Sequence, residues 1–143
     1  MAAEIVKQGL QYMLEVAFSE EAVVSDNFYL ALVSDSGIAE SDTISDLTEV
    51  AAPGADGYAR QAVATSDVGF TSSDAGSNDW MVTTTTETFT ATGTWKSAGA
   101  VVMVSSDVAT AGVKMIAAAD LSTTRSLVNG DSLQVAMQLK LAN

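Results

Sequence analysis

Residues 127–141 carry the chain's plainest pattern. Leu133, Val135, Met137, Leu139 and Leu141 fall at every second position, with Gln134, Gln138 and Lys140 between them. A period of two sends one apolar row and one polar row to opposite faces of a strand. Asn129-Gly130, just upstream, supplies the positive φ angles of a tight reversal. The spacing therefore predicts a long, half-buried closing strand behind a sharp turn. Near the other end the period changes: Val6, Leu10, Met13, Leu14 and Ala17 recur at spacings of three and four, which predicts an amphipathic helix over 4–18. A helix this short is marginal by itself in water and must dock on something.

Between these ends the chain reads as strands and turns. Phe28-Tyr29-Leu30-Ala31-Leu32-Val33 is a compact β run that stops at Ser34-Asp35-Ser36-Gly37. Residues 42–50 read either as a short helical turn or as a loop with two apolar anchors. Pro53-Gly54-Ala55-Asp56-Gly57 is a turn, and 58–64 resumes as strand. The stretch 66–79, rich in Gly, Ser, Asp and Asn, is the most loop-like region, and the threonine run 83–92 reads as a solvated or edge strand. Val101–Val104 and Val113–Ala117 form a further strand pair. Strands at this spacing without intervening helices predict a mainly β chain: an antiparallel β-sandwich or barrel of roughly seven to nine strands with one N-terminal amphipathic helix. The expected division is 1–25 for the helix and its lead-in, and 26–143 for the β-sandwich.

Composition narrows the chemistry. With 18 acidic against 6 basic side chains, a formal charge of −12 argues against a nucleic-acid partner and against anionic membrane surfaces. No apolar stretch approaches the roughly 18 residues of a membrane helix. The chain has neither cysteine nor histidine, which removes thiolate sites, disulfides and the commonest general base. Glu20-Glu21, Glu49 and Glu87 offer carboxylates for glycoside hydrolysis, and Lys96-Ser97 imitates a Ser/Lys dyad, but solvated charge explains the same residues. Asp74-Ala75-Gly76-Ser77-Asn78-Asp79 has oxygen ligands yet lacks the alternating spacing and terminal Glu of an EF-hand. No enzymatic activity and no cofactor is expected, with structural calcium in that loop as the minor alternative. Trp80 and Trp95 read first as core anchors and second as a sugar platform.

The order of motifs resembles a family of small bacteriophage virion structural proteins of the capsid decoration, or cement, type. It is carried by the N-terminal helix, Phe28-Tyr29-Leu30-Ala31-Leu32, Asp46-Leu47-Thr48-Glu49 and Gly57-Tyr58-Ala59-Arg60-Gln61. A Trp-bearing loop, Phe89-Thr90-Ala91-Thr92-Gly93 and the closing Val128-Asn129-Gly130-Asp131-Ser132-Leu133 complete it. The resemblance implies a non-enzymatic β-sandwich, assembled in the host cytoplasm, that clamps major capsid subunits on the outer surface of the virion, as a homo-oligomer and typically a trimer. Val6, Leu10, Met13 and Leu14 are the expected anchors on the partner, with Tyr58 and Arg60 as further contact candidates. Two alternatives stand beside it: a receptor-binding head or tail fibre module, and a tail or baseplate structural protein. The fibre module expects an exposed Trp80; the cement protein expects Trp80 at least partly packed.

Overall fold

A computed structural model of the chain describes residues 2–19, 26–76, 79–108 and 111–141. Ten strands are described: β1 (Ala2–Ile5), β2 (Asn27–Val33), β3 (Gln61–Ala64), β4 (Phe70–Gly76), β5 (Asp79–Thr84), β6 (Glu87–Thr90), β7 (Ala98–Val104), β8 (Met115–Arg125), β9 (Ser132–Val135) and β10 (Gln138–Leu141). One helix, α1 (Lys7–Leu14), runs into a π turn at Glu15–Ser19. Eight strands form a single sheet in the order β3-β2-β7-β8-β1-β10-β5-β4, and β6 pairs with β9 separately. The large sheet curls into a half-barrel, so the chain is mainly β as its periodicity predicts.

Pairing is antiparallel throughout except between β1 and β10, which run parallel. β1 is the piece the helical pattern hides. Ala2–Ile5 bridges β8 and β10, which joins the two halves of the sheet, and the helix begins only at Lys7. Backbone hydrogen bonding on both sides outweighs the helical spacing of two or three side chains.

The strands of the centre are buried on both faces. β7 is buried from end to end. Leu30, Leu32, Val101 and Met103 point into the hollow of the half-barrel, while Ala31, Val33, Val102 and Val104 point to its outer face. That outer face is covered by the segment after β2, whose Ile44 sits in a 3-10 turn and whose Leu47 packs beside it. Thr43 and Asp46 form a reciprocal capping box: the Asp46 carboxylate accepts from the Thr43 hydroxyl at 2.7 Å and its amide at 2.9 Å. Those two bonds hold the Asp46 carboxyl below its ordinary value, the side-chain bond contributing most. Of the two sequence alternatives for 42–50, the structure takes the short helical turn and gives it both apolar anchors.

Three local expectations change. The loop-like 66–79 contains β4, held in register along β5 from Phe70 opposite Thr84 to Asp74 opposite Trp80. Its polar side chains suit an edge strand with one side in water. The closing strand divides at Ala136-Met137: β9 pairs with β6, whereas β10 joins the large sheet. Thr84 pins the break: its N–H donates to the Met137 carbonyl at 2.9 Å and its hydroxyl accepts the Met137 N–H at 2.9 Å. The threonine run divides at the same level, between β5 and β6. Gly130, at φ 94°, makes the predicted turn.

Candidate functional site

Two of the motifs read from the sequence meet in the core. Glu49 lies opposite Val33 in an isolated bridge, and Tyr58 and Arg60 lie between the turn at Gly57 and β3. The Arg60 guanidinium grips the Glu49 carboxylate with Nη2 at 2.5 Å and Nε at 3.1 Å, and its Nη1 donates to the Ser106 carbonyl at 2.8 Å. The Tyr58 hydroxyl donates to Glu49 at 2.6 Å and accepts the Leu32 N–H at 3.1 Å. Burial, reinforced by the Glu49 carboxylate, pushes the Tyr58 phenol well above its ordinary range. The Tyr58 ring stacks on Phe89 at 6.3 Å and meets the edge of Trp95 at 5.4 Å. The Trp95 indole donates to the Asp56 carbonyl at 2.9 Å. This constellation joins the loop after β2 to the turn before β3. It is a lock, with every polar group engaged, rather than a cleft.

The other proposed chemistry is also absorbed locally. Glu87 accepts from the Thr85 hydroxyl at 2.7 Å and Glu49 is held by Arg60, so the two carboxylates have separate partners. The Ser97 hydroxyl pairs with that of Ser126 at 2.6 Å. Asp74 accepts the Gly76 N–H at 2.7 Å within the hairpin and Asp79 pairs with Lys140 of β10 at 2.6 Å, so both described acids of the 74–79 loop have partners within the sheet. Glu20-Glu21 lies outside the described residues.

Of the open hollows, one of about 490 Å³ is lined in part by Glu4, Glu40 and Asp120, and another is apolar. On one side of the half-barrel a hollow of about 580 Å³ is walled by α1 and the concave face of the sheet. Tyr12, Phe28 and Phe70 line it as two successive edge-to-face contacts, 5.7 and 6.4 Å between centroids. Met13 and Val16 form its helical wall, and Val82 and Leu139 its floor. Strand alternation extends the floor outward: Trp80 lies two residues from Val82, Leu141 two from Leu139, and Trp80 and Leu141 are register partners. Trp80 is 55% exposed and Leu141 52%. The hollow thus opens onto an apolar shelf, bordered by Asp74 on β4.

The second apolar surface is the outer side of α1. Gly9 brings the helix so close to β8 that a β-carbon there would collide with the Ile116 backbone. Tyr12, Met13 and Val16 consequently face inward, leaving Leu10 at 46%, Leu14 at 60% and Phe18 at 84% exposure.

The expected contact residues therefore part company. Leu10 and Leu14 are exposed, and Met13 is half-buried in the wall of the hollow. Val6 is buried on the outer face of the sheet and donates its N–H to Ile116 at 3.1 Å. Tyr58 and Arg60 belong to the internal lock, so an intrachain role accounts for all three. The reading of both tryptophans as core anchors holds for Trp95, 4% exposed, and not for Trp80. Phe18 was absent from the predicted stripe because strict 3.6-residue spacing selects Ala17; the π turn displaces it.

Residues 10–141 match the family model described as Podophage GP4 fiber I protein gp80. No curated protein matches the chain.

Proposed function

The chain belongs to the Podophage GP4 fiber I protein gp80 family and is a phage structural protein, and from that premise we propose that it is a non-enzymatic component of a virion fibre. Membership supports this reading because it spans the fold from α1 to β10. The observation that carries it beyond the family is Trp80. A fibre module expects this side chain exposed and a cement protein expects it at least partly packed; more than half of its surface is open, beside an apolar hollow, which favours the fibre module. Large aromatics with one free face are what binding surfaces use, and monomeric cores do not leave them out without reason. The shelf of Trp80, Leu141 and Asp74 is the surface we assign to the contact the fibre makes, with a receptor or with the next fibre component.

Virions assembled without this chain separate the two virion roles. The fibre reading expects adsorption to host cells to fall while the heat stability of the shell is unchanged. Shells that rupture at lower temperature, with adsorption intact, would return the chain to the capsid surface, with the major capsid protein as its partner. Restoring the chain as Trp80→Ala is expected to return the fibre but not full adsorption.

A further inference from the structure

The outer side of α1 is more specific than an apolar patch. Its seam residues, in order, are Lys7, Leu10, Leu14 and Phe18. The first three follow the alternating three- and four-residue spacing of a helix seam. The π turn at Glu15–Ser19 adds one residue to its turn, which brings Phe18 to the place Ala17 would hold in an unbroken helix. A cation thus stands at one end of the seam and an almost fully exposed aromatic ring at the other, with two leucines between.

We propose that this seam is a homotypic contact, in which α1 of a second copy packs antiparallel across a twofold axis. Antiparallel pairing sets Leu10 against Leu14 of the second copy, Leu14 against its Leu10, and the Lys7 ammonium over the face of its Phe18, twice per interface. Only in this direction does the Lys7 layer also find a complementary partner. Parallel pairing would set Phe18 on Phe18 but oppose Lys7 to Lys7, a like-charge contact the antiparallel order replaces with a cation–ring one. The cation–ring layer is favourable when partly desolvated, and a surface patch that reads the same from both sides is what a twofold interface requires.

The Lys7–Phe18 complementarity makes a second copy the occupant, and the local charge does not oppose it. At a net charge of −12, most of the surface of one chain repels another. The seam is the exception: it contains no carboxylate and one cation, and among the described residues Lys7 forms no ion pair. The neighbouring Glu15 carboxylate is held aside by the Gln11 side-chain amide at 2.5 Å. The proposal concerns this helix face only and stands whether or not the fibre assignment does.

The absence of cysteine makes the register directly readable. Leu10→Cys and Leu14→Cys chains, both changed at exposed positions, are purified separately, then oxidised alone and as an equimolar mixture. The mixture is expected to form interchain disulfides at least roughly tenfold faster than either chain alone, while Leu14→Asp raises the concentration of half-dimerisation by roughly tenfold or more in sedimentation, a change of about 1.4 kcal/mol. Circular dichroism of each variant verifies the fold. A wild-type chain that stays monomeric to on the order of 100 μM, a Leu14→Asp midpoint equal to wild type, or Leu14→Cys alone crosslinking as fast as the mixture would each overturn the proposal.

Discussion

At the scale of single residues, the decisive group is the Glu49–Tyr58–Arg60 lock. Its ion pair is fully buried on the arginine side and nearly so on the glutamate side. Pairs in such surroundings add little when compared with apolar packing, but breaking one partner is costly, because the other charge is stranded. Arg60→Ala is therefore expected to destabilise the chain by about 3–5 kcal/mol in chemical denaturation. Tyr58→Phe removes one neutral donor and is expected to cost about 1–3 kcal/mol. Tyr58 also sets an alkaline limit. Its phenol binds its proton more tightly folded than unfolded, so its contribution is complete below the ordinary tyrosine pKa of 10.0 and declines as pH rises above that value. The loss continues toward the higher folded value. Tyr58→Phe should flatten the fall in stability above pH 10.0, measured as denaturation midpoint against pH. Both motifs were legible in the sequence, as Asp46-Leu47-Thr48-Glu49 and Gly57-Tyr58-Ala59-Arg60. Their meeting was not, because a pairing across eleven residues depends on a turn whose path periodicity does not encode.

At the scale of elements, the dominant patterns survived and the boundaries moved. β2 and β7 lie where their apolar runs place them, since strands buried on both faces advertise themselves by unbroken hydrophobicity. β4 did not, because Phe70-Thr71-Ser72-Ser73-Asp74 looks like loop until β5 offers it a ladder. The N-terminal helix was legible as an element but not in its orientation. Apolar residues occupy several of its sides, and the choice of buried side is made by Gly9, whose missing side chain admits the Ile116 backbone. Gly9→Ala gains at most about 1 kcal/mol of helix propensity. Against that stands an overpacking cost of about 1–3 kcal/mol, with backbone rather than a flexible side chain in the way. The net is expected to be destabilising, with faster amide exchange in α1 and at β8 than in the central β2–β7 pair.

At the scale of the molecule, the curled sheet divides the work. One end is filled by Tyr58, Phe89 and Trp95 around the lock; the other is left open above Tyr12, Phe28 and Phe70. Stability resides in the first and recognition, on the fibre reading, in the second. Nothing in the alternation of residues could have separated the two tryptophans, since both follow polar residues. Only the register of β5 against β10 shows that Trp80 lies beyond the last covered position of the concave face. The virion itself provides the most direct test. Cryo-electron microscopy of intact particles should find this chain in the fibres, with the Trp80 shelf facing outward or onto the next component. Copies seated between capsomers over the whole shell, with Trp80 against the major capsid protein, would contradict the fibre assignment.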